Sequence, residues 1–213
     1  MITQEYVDGM YAKSKAQLRQ DIFVLAELGF KRDGYFVEFG GTNGVDLSNT
    51  YLLETELGWT GIVAEPAHVW HDALISNRKC LLDFNCVWSE SGKTLEFNEV
   101  DEAELSTINT FSNTDEHAKT REIGNKYEVN TISLFDLLEK HDAPKEIDYL
   151  SIDTEGSEYE ILSAFDFDAY KIKVITCEHN YTPMREKIFE LLSSKGYTRK
   201  YTEFSYFDDW YVL

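Results

Sequence analysis

Tyr35-Phe36-Val37-Glu38-Phe39-Gly40-Gly41-Thr42-Asn43-Gly44 is an apolar and aromatic run that ends in a glycine-rich turn ahead of a helical pattern. It reads as a buried strand, a tight loop and a helix start. Glycine at positions 40, 41 and 44 permits backbone angles that other residues resist, and lets a flat ligand lie against the main chain. Glu38, two residues before the first glycine, would repel a pyrophosphate but suits a ligand with hydroxyls and a positive charge. S-adenosylmethionine is such a ligand. The G-x-G-x-x-G spacing of dinucleotide binders is not met, because its third glycine position falls on Val45. A NAD-dependent oxidoreductase built on the same kind of sheet is therefore the poorer enzyme reading.

Upstream, Leu18, Ile22, Leu25, Ala26 and Leu28 recur at helical spacing and Gly29 stands at the stop, so residues 1–33 form a helical lead-in. Gln20 and Asp21 are expected on its solvated face. Downstream, Asp46 or Ser48 is expected to cap a helix carrying Leu47, Tyr51, Leu52 and Leu57 and ending at Gly58. That turn brings Ser48 and Asn49 near the ligand. Thr60–Ala64 is a second buried strand ending in Glu65-Pro66, and a carboxylate at this position in dinucleotide-type folds grips ribose hydroxyls. A third strand over Cys80–Val87 ends with Asp83, Asn85 and Cys86, where a side chain or backbone amide can meet the edge of adenine. Thr94–Phe97 alternates like an outlying strand.

Residues 98–128 are acidic and rich in Ser, Thr and Asn, with Leu105-Ser106-Thr107-Ile108 as the one apolar knot. So long an excursion reads as a lid that shapes the substrate site or as a solvated loop. Regular structure resumes at Val129–Ile132, followed by a helix with Leu134, Phe135, Leu137 and Leu138. A fourth strand, Ile147–Ile152, delivers Asp153 to its carboxyl end beside the first strand, the switch point of a doubly wound sheet. Glu155 lies on the turn that follows, and Glu158 enters the next helix, where capping explains it. Lys173–Cys177 is a fifth strand with Glu178-His179-Asn180 at its tip, facing the same edge. Tyr197–Tyr201 and Tyr206–Leu213 form the closing hairpin.

The 213 residues, 43% hydrophobic and 14% aromatic, suffice for one well-filled domain spanning residues 1–213. The formal charge of -19 opposes adhesion to nucleic acid or to an anionic membrane. No apolar run is long enough to cross a bilayer and no signal core precedes the lead-in, so a soluble, cytoplasmic protein is expected. Cys80, Cys86 and Cys177 show no C-x-x-C spacing and read as free thiols in a reducing compartment.

From about Gln17 to the C-terminus the chain resembles the FkbM family of S-adenosylmethionine-dependent methyltransferases. The likeness is carried by GYFVEFGGTNG (34–44), SNT (48–50), WTGIVAEP (59–66), IDYLSIDTEGSEYEIL (147–162) and CEHN (177–180). It implies a Rossmann-like class I methyltransferase fold: α/β, a seven-stranded, mostly parallel sheet with helices on both faces and a C-terminal antiparallel hairpin. It also implies Gly40, Gly41 and Asn43 around the methionine part of the cofactor and Glu65 on its ribose; Glu38, Ser48, Asn49, Pro66, Asn85, Cys86 and Asp153 are the further candidates for the cofactor site that the strand ends and turns themselves supply. One departure is Thr42, where the loop of that fold usually has glycine. Family members modify hydroxyls of sugars and natural products, which makes a small-molecule or carbohydrate acceptor the expected partner. Taking the proton from that hydroxyl wants a base, and Asp153, Glu155 and His179 are the candidates. Asp153, Glu155, Glu178 and His179 form a donor set that suits a divalent cation, although no ligand spacing requires one. A module that binds the cofactor without turnover is the alternative reading.

Overall fold

A computed structural model describes residues 2–213. In chain order, α1 (Gln4–Lys13) and α2 (Gln20–Glu27) lead into β1 (Tyr35–Phe39), α3 (Tyr51–Leu57), β2 (Thr60–Ala64) and α4 (His71–Asn77). Then come β3 (Leu81–Asp83), β4 (Cys86–Trp88), β5 (Thr94–Glu99), β6 (Thr107–Ile108), β7 (Asn125–Ser133) and α5 (Leu134–Lys140). The chain finishes with β8 (Glu146–Ile152), α6 (Glu158–Ala164), β9 (Lys171–Glu178), α7 (Met184–Ser194), β10 (Thr198–Lys200) and β11 (Asp208–Val212).

Seven strands form the main sheet in the order β10-β11-β9-β8-β1-β2-β3. Neighbours from β9 to β3 are parallel, with Val37 level with both Ile62 and Leu150, while β11 runs antiparallel to β9 and to β10. This is the expected Rossmann-like class I methyltransferase fold, hairpin included. The central strands are apolar on both sides because helices cover both. Val37, Phe39, Leu150 and Ile175 pack with Leu137 of α5, Leu162 of α6 and Leu192 of α7. On the other face Phe36, Tyr149 and Val174 pack with Val24 of α2, Leu53 of α3 and Leu74 of α4.

Four expectations need correction. The strand expected over Cys80–Val87 is two: β3 extends the main sheet, and after a break at Phe84 and Asn85 β4 pairs with β7 in a second sheet of order β4-β7-β5-β6. Two different sheets divide one apolar run here. Residues 98–128 are not irregular, since β6, three 3-10 turns and the start of β7 fill them, and Phe97, Ile108 and Val129 form a small core with Cys86 and Ala67. The helix after the glycine turn begins only at Tyr51, leaving Leu47 exposed; the Ser48 hydroxyl accepts the Tyr51 amide, and Asp46 is occupied by the Asn43 side chain. Gln20 and Asp21 are buried rather than solvated: the Gln20 amide donates to Asp208 and Asp21 accepts from the Ser14 hydroxyl. Burial pushes the Asp21 carboxyl up to about 6.

Candidate active site

The carboxyl ends of β2, β1, β8 and β9 open into a cavity of about 220 Å³ at the point where the chain crosses from one half of the sheet to the other. Its floor is the glycine turn. Gly40 takes φ +76° and passes so close to β8 that a Cβ there would stand 2.0 Å from the Asp153 carbonyl oxygen. Gly41 is equally constrained, by Val63 at 2.2 Å, but turns away from the cavity. Thr42, the departure from glycine, adopts φ +46° and its amide donates to Glu65.

At the β2 side, Glu65 is almost fully buried; one carboxylate oxygen accepts the Thr42 amide and the other the Ala67 amide. Each oxygen retains a lone pair, and burial raises the group to about 7. Pro66 and Cys86 line the same side. Asn85 is not part of the lining, its side chain donating to Asp83, which pairs with Lys140 and contacts the His141 ring.

Glu38 reaches the cavity, but its oxygens are already taken by the Ser48 and Thr50 hydroxyls, the Asn49 amide and the buried Arg78 guanidinium. The carboxylate placed by sequence against the ligand therefore ties the glycine turn to the start of α3. Ser48 belongs to that network and lies outside the lining, as does Asn43, whose side chain bonds Val45, Asp46 and the turn itself. Asn49 does line the cavity: its amide nitrogen donates to Ser151 and its side-chain oxygen is buried without a partner.

The opposite end is acidic. Asp153 at the end of β8, Glu155 on the turn and Glu178 at the end of β9 bring carboxylate oxygens within 4.8 Å of one another. Burial first, then mutual repulsion, drives Glu155 and Glu178 well above the ordinary carboxylate range, and Asp153 rises for the same main cause. Glu158 takes the amides of Thr154 and Gly156 and so holds the turn together. Glu155 alone meets a cation: Arg121 donates to it at 2.6 Å and Asn180 at 3.2 Å.

His179 does not face this cluster. Its side chain is about 1% exposed, Nδ1 accepts the Tyr181 amide, and Nε2 points toward Asp209 at 3.8 Å, outside the cavity lining. The reason is the alternation of side chains along β9: Glu178 turns to one side of the strand end and His179 to the other. Burial also lowers its proton affinity. The four-residue donor set thus reduces to three carboxylates.

The remaining wall comes from the excursion after β5, which contributes Ala103, Leu105, Ile108, Glu116 and His117. Sequence reading missed Arg121, since nothing in residues 115–122 distinguishes it from Lys119. Phe207, just before β11, was missed too, although its place in the lining follows from β11 returning beside β9.

Residues 38–201 match the family model described as methyltransferase FkbM domain. No curated protein matches the sequence. Among solved structures, methyltransferase FkbM from Methylobacillus flagellatus KT aligns over 97% of this chain and 58% of its own, at 11% identity and a TM-score of 0.52. This chain therefore spans little more than half of that protein, and the likeness is one of fold. Precorrin-6y C5,15-methyltransferase from Geobacter metallireducens GS-15 aligns at 13% identity over 100% of this chain and 88% of its own, TM-score 0.42. The N-terminal domain of human METTL16 in complex with SAH aligns at 13% identity over 89% and 66%, TM-score 0.40.

Proposed function

The chain belongs to the FkbM methyltransferase family, and on that premise we propose that it uses S-adenosylmethionine to methylate a hydroxyl of a carbohydrate or natural-product acceptor. The observation that carries this reading is the arrangement of groups that line this cavity. The glycine turn forms the floor against the Asp153 backbone, Glu65 stands on the β2 side, and Asp153, Glu155 and Glu178 stand on the β8 and β9 side, with Arg121 on Glu155.

The residues fit the cofactor. Gly40 leaves bare backbone where any side chain would collide, Glu65 offers two lone pairs to a pair of ribose hydroxyls, and the unpartnered Asn49 oxygen offers an acceptor to a donor in the cavity. S-adenosylmethionine, when bound, supplies a methyl group already activated by its sulfonium. What is left to the chain is to align an acceptor oxygen, exclude water and receive one proton. Asp153 and Glu155 are assigned to receive it: both line the cavity beside Glu178 at the carboxyl ends of β8 and β9, and burial raises Asp153 to about 7, which suits a base at physiological pH. With His179 turned to Asp209, that role falls to the carboxylates.

Acidity favours a small neutral or cationic acceptor over nucleic acid, given the charge of -19. No helix among the described residues is long and apolar enough to cross a membrane, and three free cysteines suit a cytoplasmic setting. The three-carboxylate cluster also supports a metal-assisted variant, in which a hard divalent cation holds the acceptor oxygen. Isothermal titration with S-adenosylhomocysteine and with NAD tests the cofactor, and methyl transfer to a panel of hydroxylated acceptors, with and without chelator, tests the reaction. Binding of NAD in place of S-adenosylhomocysteine would overturn the reading. Binding without transfer to any acceptor would favour the module that lacks turnover.

A further inference from the structure

The Arg121 side chain, beside the cavity, donates four hydrogen bonds, and the cofactor reading gives it no task. It is buried among three separate pieces of chain. One terminal nitrogen donates to both oxygens of Asp115 at 2.8 Å, the other to Glu155 at 2.6 Å, and Nε donates to the Leu105 carbonyl at 2.7 Å. Its own carbonyl accepts from the buried Asn98 side chain, which also donates to Ser112. Leu105 and Asp115 belong to the excursion that supplies one wall of the cavity, whereas Glu155 belongs to the turn after β8. A second tie runs alongside, from the Thr107 hydroxyl to the Glu155 carbonyl at 2.8 Å.

Glu155 is held under two constraints. It adopts φ +59°, a conformation a side-chain-bearing residue takes only when its surroundings enforce it, and its carboxylate shares a small space with Asp153 and Glu178. Burial and the neighbouring carboxylates oppose any charge on it, and a facing cation offsets them. Among the described residues Arg121 is the cation that pairs with it. The planar fork is needed, because its donors leave in divergent directions toward three segments, and a lysine ammonium cannot span them from one point.

We propose that Arg121 is a positioning residue that closes residues 103–122 over the acceptor end of the cavity and fixes the Glu155 carboxylate there, a proposal that rests on the methyltransferase reading. The wall and the candidate base are set by one guanidinium, so losing it both opens the chamber and frees the base.

The test is amide hydrogen exchange on the full chain, with and without saturating S-adenosylhomocysteine, whose binding is measured separately by calorimetry. Arg121→Gln is expected to speed exchange in residues 103–122 by tenfold or more, leaving α2 and α7 at parent rates. Arg121→Lys should behave like Arg121→Gln, and millimolar guanidinium should return part of the protection where equal sodium chloride does not. Glu155→Gln should loosen the same residues, and the double variant should be no looser than the worse single one. Parent-like exchange in Arg121→Gln, full protection in Arg121→Lys, or strictly additive effects in the double variant would overturn the proposal. Should Arg121→Gln fail to fold, Glu155→Gln carries the test alone, with parent-like exchange in 103–122 counting against the proposal. Failure of the parent to bind S-adenosylhomocysteine would strike the cofactor reading instead, and exchange in the ligand-free protein would still decide the role of Arg121.

Discussion

Replacing Gly40 by alanine should damage stability and cofactor binding together. The added Cβ would stand 2.0 Å from the Asp153 carbonyl oxygen, when such contacts essentially never fall below 3.0 Å, so β1 and β8 must part by at least 1 Å at their carboxyl ends. The position also holds φ +76°, which costs an L-residue about 1–2 kcal/mol. Overpacking between elements that cannot yield adds about 1–3 kcal/mol. The sum, about 2–5 kcal/mol, lowers the melting temperature of a domain of this size by roughly 4–20 °C at about 2–4 °C per kcal/mol. Because the turn that must move also carries Thr42 against Glu65, affinity for S-adenosylhomocysteine should fall at least tenfold. Gly9→Ala provides the control: it lies inside α1 with nothing within 4 Å of the added carbon, and should gain about 0.5–1 kcal/mol. Calorimetric melting and ligand titration on both variants decide the matter. A Gly40→Ala protein that melts and binds like the parent would refute the close approach of the glycine turn to β8.

Three further outcomes are expected. Glu65→Ala should weaken S-adenosylmethionine binding by about 1.5–3 kcal/mol, the range for hydrogen bonds to a charged group, and unchanged affinity by calorimetry in a folded variant would dismiss the ribose assignment. Asp21, Glu65 and Asp208 are raised by burial to about 6, 7 and 8, so the native state holds protons that the unfolded chain has lost, and stability should fall as pH rises between about 4 and 8, by up to ~1.4 kcal/mol per pH unit for each group in its window; a urea midpoint that rises over that range would show these carboxylates to be ionised in the native state. His179→Ala should lower the melting temperature yet leave single-turnover methyl transfer within a few-fold of the parent, since the ring packs on Asp209 and Tyr181 rather than the cavity; a loss of 10²-fold in a folded variant would return His179 to the role of base.

Sequence alone determined the scaffold, because the residues that make it act through their neighbours in the chain. Four central strands, β1, β2, β8 and β9, read as apolar runs, the glycine turn read as glycine-rich, and Glu65 and Asp153 read as acids at strand ends, since a parallel strand's terminus is a local feature. The seven-stranded, mostly parallel sheet with its closing hairpin followed from the resemblance, whose motifs sit at those same strand ends. What only tertiary structure decided was where each polar atom is spent. Glu38 looks like a ligand acid until Ser48, Thr50 and Arg78, up to 40 residues downstream, are seen to fill its oxygens. His179 follows Glu178 in sequence but lies on the opposite side of the strand end, and residues 98–128 gain order from the pairing of β6 and the start of β7 with β5 rather than from any periodicity of their own. Hydrogen-bond demand in a buried site is met by whichever donor the fold brings near, and a single sequence gives no measure of that proximity.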